Sequence, residues 1–155
     1  AMSQNDYIIH PASRHSLHLC WDISKSRFQL CDEKPHKNIS LRFVNVPGPY
    51  RSTKYLLMLQ EKVSGNHSLI LNATNIQKQP NEEEHVTEDV KFDVLKLDNK
   101  GNIALVVKTK RKIWWLCHAA LRQVALCSGT APTVFGTWTV IEVIENQKNK
   151  IQSFI

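Results

Sequence analysis

A chain of 155 residues is long enough to fold as one domain with its own hydrophobic core, and too short to divide comfortably into two. Hydrophobic residues make up 42% of the chain and charged residues 22%, which excludes a generally disordered or a fibrous protein. Twenty Lys and Arg against fourteen Asp and Glu give a net charge of +6, and a basic surface attracts nucleic acid, anionic membranes or acidic partners.

The ends of the chain and one internal stretch carry few signs of regular structure. We expect a single domain over residues 1–155, with 1–14 and 146–155 extended or frayed. Residues 77–89 lack apolar spacing and are rich in acids, which predicts a solvated acidic loop. No apolar stretch approaches the roughly 20 residues of a membrane span, so we expect no transmembrane segment. No internal repeat of 20–50 residues is apparent.

The first half of the chain shows strand patterns. Apolar residues alternate with polar or small ones over 17–23 and again from Phe28, with Ser-Lys-Ser-Arg between them, which predicts a β-hairpin over 17–32. A third strand over 41–46 ends at Pro47-Gly48-Pro49. Residues 54–76 predict a second hairpin around a Gly-Asn turn, and a helix over 52–63 is the competing interpretation.

The second half contains one clear hairpin and one predicted helix. Val90, Phe92 and Val94 alternate with polar residues, and Asp-Asn-Lys-Gly at 98–101 forms a strong turn signal before the next strand. Apolar residues at helical spacing over about 113–127, followed by Ser-Gly, predict a helix. The β-branched and aromatic run 134–143 predicts a closing strand.

These elements predict a β-rich α+β fold. We expect a single curved antiparallel sheet, or a small β-barrel, of about seven strands, with the one helix placed before the closing strand. Long βαβ alternation is absent from the pattern, which argues against a doubly wound nucleotide-binding fold.

The spacing of the four cysteines indicates which disulfides can form, and so whether the chain suits an oxidising or a reducing compartment. Aligning the apolar face of the first hairpin places Cys20 opposite Cys31, near enough for a cross-strand disulfide. Cys117 and Cys127 lie ten residues apart on the predicted helix, about 15 Å in rise, and are therefore not expected to bond each other. Four reduced, intracellular cysteines are the favoured state. Three glycosylation sequons, at Asn38, Asn66 and Asn72, are only a weak excess over chance. They leave a secreted protein as the alternative interpretation.

No constellation in the sequence predicts catalysis. The five glycines are scattered and form no phosphate-binding loop, and nothing places a base beside a nucleophile. The seven histidines and four cysteines do not show the paired spacing of a zinc site. We therefore expect a protein without enzymatic activity, cofactor or metal.

The most pointed feature is a basic strip, defined here as Lys108, Lys110, Arg111 and Lys112, followed by Trp114 and Trp115. Its cations can contact phosphates or an acidic partner while Trp115 stacks on a base or on an apolar surface. The competing interpretation is a solvated strand end followed by two core tryptophans, of which at most one is fully buried against the same face of a helix.

These observations rank three classes of function. The leading hypothesis is a non-enzymatic interaction module, an intracellular (nuclear or cytoplasmic) subunit of a protein or protein–nucleic-acid complex that uses the basic strip. A protein is the first expected partner and nucleic acid the second. The alternative is a secreted or ectodomain β-barrel that binds a protein or a small apolar ligand, with Cys20 and Cys31 oxidised. A lipid-headgroup-binding adaptor ranks third, because a membrane surface is the least favoured partner.

Overall fold

The computed structural model of the chain describes residues 6–22, 24–32, 39–47, 53–61, 68–71, 76, 91–109, 112–119 and 122–143. Their strands are β1 (Asp6–Pro11), β2 (His18–Asp22), β3 (Arg27–Cys31), β4 (Ile39–Pro47), β5 (Thr53–Glu61), β6 (Ser68–Ile70), β7 (Lys91–Lys96), β8 (Asn102–Lys108), β9 (Ile113–His118), β10 (Val124–Ser128) and β11 (Trp138–Val143). A short 3-10 helix covers Val134–Gly136. This part of the chain contains no α-helix and no helix long and apolar enough to cross a membrane.

Nine of these strands form one antiparallel sheet. Its order is β10-β9-β8-β11-β1-β4-β5-β6, and β7 pairs with both β5 and β8. The predicted strand-rich antiparallel architecture is confirmed, but the described residues form eleven strands instead of about seven. Strand pairing runs in a ring through β8, β11, β1, β4, β5 and β7, and β6 and the β9–β10 pair extend from that ring. Strands β2 and β3 form a separate two-stranded sheet.

The strand order repeats three times along the chain. Three units follow one another: β1 to β4, β5 to β7 and β8 to β11, which begin at residues 6, 53 and 102. Each unit consists of a first strand, an inner segment and a last strand. Within each unit the first strand pairs with the last, and the last strand of one unit pairs with the first of the next. The repeat lies in the backbone pairing, which explains why residue identities do not reveal it.

The predicted helix over about 113–127 is wrong. These residues form a β-hairpin in which β9 and β10 pair antiparallel, with Leu116 opposite Leu126. Strand β9 is buried at every position from Trp114 to His118. A strand buried on both faces shows no alternation of apolar and polar residues, and such a run cannot be distinguished from a buried helix by its period.

The predicted hairpins are present. The pair β2–β3 covers the first, β5 and β6 pair antiparallel in the second, and β7–β8 forms the third. The competing helix over 52–63 is therefore absent from its described part. At the β7–β8 turn, Asp98 Oδ1 accepts from the backbone N–H groups of Lys100 (2.7 Å) and Asn102 (3.2 Å), and Gly101 adopts φ +87°.

The expected ends and the acidic loop fall partly outside the described residues. Of residues 1–14, Asp6–Pro11 form β1, which pairs with β11 over six residues and also with β4, and residues 12–13 form a turn. Residues 77–89 and 146–155 lie outside the described part of the chain.

Buried apolar side chains form two clusters, and strands β8 and β9 of the third unit contribute to both. Trp138 is fully buried in the main cluster with Ile9, Phe28 and Leu105, and its indole N–H donates to the carbonyl of Leu116 at 2.9 Å. The opposite face of β8 and β9 carries a second cluster of Ala104, Val106 and Trp115. Residues next to each other on a strand point to opposite faces, so consecutive apolar residues supply two clusters.

Candidate functional site

The two lysines of the basic strip that the structure describes lie at the base of the β8–β9 turn. Lys108 ends β8 and pairs with Ile113, the first residue of β9, and Lys112 directly precedes that residue. Lys110 and Arg111, between them in the sequence, lie outside the described residues.

Thr109 fixes the base of this turn. Its backbone N–H and its hydroxyl donate to the Lys112 carbonyl at 2.9 and 3.2 Å, and the same hydroxyl accepts from the Lys112 N–H at 3.2 Å. The ammonium group of Lys112 lies 5.4 Å from the centre of the Trp114 ring, within the range of a cation–π attraction. The backbone that carries both lysines is therefore held in one arrangement.

Both tryptophans of this region are buried, and they lie on opposite faces, so only one of them packs in the main core, as expected, although on a strand instead of a helix. Trp114 is 3% exposed and packs in the main core, whereas Trp115 is 7% exposed and packs on the opposite face. The Trp115 indole N–H donates to the Gly129 carbonyl at 3.0 Å. A strand, unlike a helix, turns adjacent side chains to opposite faces, and each face is covered here. Trp115 consequently presents no free ring face for stacking.

The lysines line one side of an open groove of about 540 Å³. The end of β10 and the two residues after it, called here the wall at 128–130, complete its lining, which is made up of Lys108, Thr109, Lys112, Ile113, Ser128, Gly129 and Thr130. The Gly129 N–H donates to the Ile113 carbonyl at 3.2 Å, which fastens this wall to the start of β9. We call this cleft the basic groove.

The described lining of the basic groove carries two ammonium groups. Its charged lining residues are both lysines, and three of the others carry hydroxyl groups. Hydroxyl and ammonium groups donate hydrogen bonds to oxyanions, and neither repels negative charge. The sequence pattern indicates the lysine side of this groove but not the wall at 128–130, because Ser128-Gly129 after an apolar run is typical of the end of a helix.

Two disulfides cross-link hairpins, one in the β2–β3 hairpin and one in the β9–β10 hairpin. Cys20 bonds Cys31 with their Cα atoms 6.0 Å apart, and Cys117 bonds Cys127 at the same Cα separation. The expectation that the second pair cannot bond is wrong, because a hairpin returns ten residues to within one strand spacing whereas a helix separates them. All four cysteines of the chain are therefore oxidised.

The first disulfide is diagonal rather than directly cross-strand. In the β2–β3 register Cys20 faces Gln29 and Cys31 faces His18, two residues away from the register that the sequence alignment gave. Asp22 sets the actual turn, since its Oδ1 accepts from the backbone N–H groups of Ser24 and Lys25 at 2.9 and 3.2 Å. A shift by two residues keeps every side chain on its face, so the apolar pattern alone did not distinguish the two registers.

The two disulfide-bonded hairpins touch each other. Gln29 and Gln123 form an isolated antiparallel bridge, and Arg122 donates to the Asp32 carboxylate at 2.9 Å. The Arg122 guanidinium holds the pKa of Asp32 below its ordinary value, and Asp32 raises the pKa of Arg122. Both side chains are about half exposed, so this pair positions the hairpins more than it stabilises them.

Histidines cluster in the described chain without forming a metal site. The His10 ring lies 5.9 Å from that of His15 and 6.4 Å from that of His18, and its Nδ1 bonds the Leu17 carbonyl at 2.7 Å. No group of three His, Cys, Asp or Glu side chains among the described residues has the geometry to hold a metal ion.

His118 is the most unusual titratable group in the described chain. It is 6% exposed, lies between the rings of Phe135 and Trp138 with centres 5.5 and 5.7 Å away, and its Nε2 has no hydrogen-bond partner. Burial lowers the pKa of His118, and the charge of Arg14 lowers it further. The imidazole is therefore held neutral.

Comparisons with known proteins give no relative of this chain. No protein-family model, no curated protein sequence and no solved structure matches it.

Proposed function

We propose that the chain is a non-enzymatic binding module that takes an anionic partner in the basic groove and acts in an oxidising compartment. The observation that carries the proposal is the groove itself, whose two lysines and three hydroxyl side chains surround about 540 Å³ of open volume. Sites of this size accommodate a segment of a polymer or a ligand of several groups.

The rigidity of the site supports a binding role. Hydrogen bonds of Thr109 to Lys112 fix one side, and hydrogen bonds of Gly129 to Ile113 and Trp115 fix the other. Groups that are already ordered lose less entropy when a partner binds, so a fixed groove binds more tightly than the same residues on a loose loop.

The two disulfides support the choice of compartment. Disulfides persist in secreted proteins and ectodomains and are rare in the cytosol and nucleus, where thiols are kept reduced. With all four cysteines bonded, the secreted or ectodomain alternative is preferred to the intracellular one that composition favoured.

Nucleic acid is the weaker candidate among anionic partners. Sequence-tolerant binding of single strands depends on aromatic rings on which bases stack, and both tryptophans beside the groove are at most 7% exposed. The seven lining residues include no aromatic side chain.

Charge reversal tests the groove. We expect Lys108→Glu with Lys112→Glu to abolish retention on immobilised polyanions at low salt, while wild-type affinity falls steeply as salt rises because counterions are released. The matched control is Lys25→Glu with Lys96→Glu, an equal charge change at two exposed sites. Lys96 pairs with Ile103, five residues from Lys108 along β8, or about 17 Å. Equal loss in the control would show that net charge alone governs retention, and the groove proposal would fail.

The oxidation state tests the compartment. Protein secreted by a eukaryotic host should show no alkylation by iodoacetamide after unfolding without reductant, and four modified cysteines after reduction. It should also melt at a higher temperature than the reduced protein. Secreted material that retains four free thiols and melts at the same temperature as the reduced chain would contradict the proposal.

A further inference from the structure

We propose that the connection between β1 and β2, residues 12–16, is a strap that mild acid releases from the sheet through protonation of the histidines beside it. We call this segment the histidine strap. It lies near His118 at one end of β9, whereas the basic groove lies at the Ile113 end, about 17 Å away along the strand. Release of the strap therefore does not depend on what the groove binds.

Four histidines gather at the histidine strap. His15 belongs to the strap itself, and the His10 ring lies 5.9 Å from that of His15 and 6.4 Å from that of His18. His118, the last residue of β9, is close enough to Arg14 of the strap for its ring to sense the charge of that residue. His10, His18 and His118 are each at most 9% exposed, so three of the four rings are shielded from water.

The charges near these rings do not compensate for added protons. Arg14 acts on His118, and His18 interacts with the carboxylate of Asp32, which follows β3. Asp32 already pairs with Arg122 at 2.9 Å. These described charges are therefore two cations and one anion, and a second proton taken up by the cluster adds like charge about 6 Å from the first. Acid consequently favours an arrangement that moves the strap away from the buried rings.

The histidine strap is lightly held. The Ala12 N–H donates to the Thr137 carbonyl at 3.0 Å, and the His15 Nε2 lies 3.3 Å from the Thr139 hydroxyl. Residues 13–16 are all exposed. A segment with little buried surface opens at a much smaller cost in free energy than the core does, so the strap can lift while the sheet stays folded.

His118 links the strap to proton uptake. Its Nε2 is buried without a hydrogen-bond partner, and the charged ring carries an N–H on both nitrogens, so protonation in the closed structure leaves a buried donor unpaired. The ring contacts Phe135 and Trp138, and the strap is bonded to Thr137, which lies between these two residues in the sequence. Lifting the strap frees this anchor and withdraws the Arg14 charge. The open form therefore takes up the proton more readily than the closed form.

The size of the expected effect follows from proton linkage. If one histidine with the ordinary pKa of 6.5 takes up a proton only in the open form, lowering the pH from about 7.5 to about 5.5 raises the ratio of open to closed strap about tenfold. A second such histidine raises the factor to about a hundredfold. Clusters of histidines act as switches in the same range, at about pH 5–6.

The experiment measures amide hydrogen exchange by NMR on the disulfide-bonded protein at these two pH values, with each rate divided by the intrinsic rate at that pH. The reporting amides are those of Ala12 and Leu17, which donate hydrogen bonds at 3.0 and 3.1 Å at the two ends of the strap. The reference amides are those of Leu97 and Asn102 at the β7–β8 turn. We expect the protection of the reporting amides to fall at least fivefold in acid and that of the reference amides to stay within twofold.

Low concentrations of urea distinguish release of the strap from unfolding of the whole chain. Unfolding exposes a large surface and therefore rises steeply with urea, whereas local opening exposes little surface. We expect exchange at Ala12 and Leu17 in acid to be nearly independent of urea, and exchange of the slowest core amides to accelerate with it.

Variants connect the release to the histidines. His118→Phe keeps an aromatic ring in the buried position, and combined with His15→Gln it should reduce the acid-induced fall in protection at least twofold. Arg14→Gln keeps every histidine but removes the opposing charge, so the titration midpoint of the His118 ring signal should rise towards its ordinary value. His67→Gln is the control, because this residue directly precedes β6, which β4 and β5 separate from β1, and it should leave the fall unchanged.

Four results would overturn the proposal. Protection at Ala12 and Leu17 that falls less than fivefold in acid shows that the strap is not released. Exchange there that rises with urea as steeply as that of the slowest core amides shows that acid unfolds the whole chain. A fall that the double histidine variant reduces less than twofold shows that these histidines do not drive release.

The fourth result is a His118 midpoint that Arg14→Gln leaves unchanged. This variant retains all the histidines, so it decides the matter should the double variant fail to fold, which thermal melts at about pH 7.5 detect. None of the four results bears on the basic groove, whose retention on polyanions is measured separately.

Discussion

Removing the disulfide between Cys117 and Cys127 is the sharpest test of the hairpin that replaces the predicted helix. The bond closes a loop with a sequence separation of 10. In the chain-entropy model a cross-link of this length removes about 9 cal/mol/K from the unfolded state, so its loss costs about 3 kcal/mol at 25 °C. For a domain of this size each kcal/mol lowers the melting temperature by about 2–4 °C, which gives a decrease of about 6–12 °C.

The chain contains its own matched comparison for this experiment. The bond between Cys20 and Cys31 has a separation of 11, and each disulfide joins one cysteine that is 1% exposed to one that is half-buried. Replacing either pair by alanine should therefore lower stability by nearly the same amount. Both losses are measured by urea unfolding followed through tryptophan fluorescence, and the slope against urea should rise because the uncrosslinked denatured state is more expanded.

A helix over 113–127 gives a different result. In that case Cys117 and Cys127 are free thiols about 15 Å apart, and replacing both with alanine changes stability by the loss of their burial only. A decrease below about 1 kcal/mol, together with two alkylated cysteines at these positions in the wild type, would refute the hairpin and the reasoning built on it.

Three further outcomes follow from single positions. Burial lowers the pKa of His118 below its ordinary 6.5, so as the pH falls the unfolded chain takes up this proton before the folded chain does. The free energy of unfolding should therefore decrease below about pH 6.5. The His118→Phe variant should show a smaller decrease when the urea midpoint is plotted against pH. Trp138→Ala removes a fully buried indole that also bonds the Leu116 carbonyl, and should cost about 3–5 kcal/mol in urea unfolding. Gly101→Ala should lower stability by about 1–2 kcal/mol in the same assay, because its φ is +87° and a Cβ would lie 3.1 Å from the Val140 carbonyl oxygen. An unchanged midpoint for any of these variants contradicts the packing described for that residue.

The sequence predicted strands that alternate or follow a strong turn signal, and failed at β9, which has neither; β8 is also buried on both faces, but the turn at 98–101 identified it. Phe28 and Leu30 alternate with half-buried neighbours, and the hairpin there is present. Trp114, Trp115 and Leu116 are all buried, so β9 offered no period-two pattern and its helical spacing was coincidental. Residues later in the chain, such as Gly136 beside Trp115, pack against β9, and no local sequence pattern predicts this contact.

The candidate site was predictable only on one side. Four cations in five residues made the basic strip visible in the sequence, and the structure places Lys108 and Lys112 on the groove. The wall at 128–130 depends on the pairing of β10 with β9, which the helix prediction excluded. The position of Trp115 beside the cations predicts a stacking role, but in a strand this side chain is buried on the second face.

The pairing of β1 with β11 has a consequence for how the chain is synthesised. Strand β1 pairs with β4 through two residues but with β11 through six, and β11 begins at Trp138. At about 5–20 residues per second, a ribosome needs on the order of 10 s to proceed from the first strand to the last. Throughout that interval β1 is an exposed sheet edge whose main partner has not been made, and Ile9 lacks the cover that the completed core provides. Until β11 is made, this edge of β1 is open to pairing with strands of other chains.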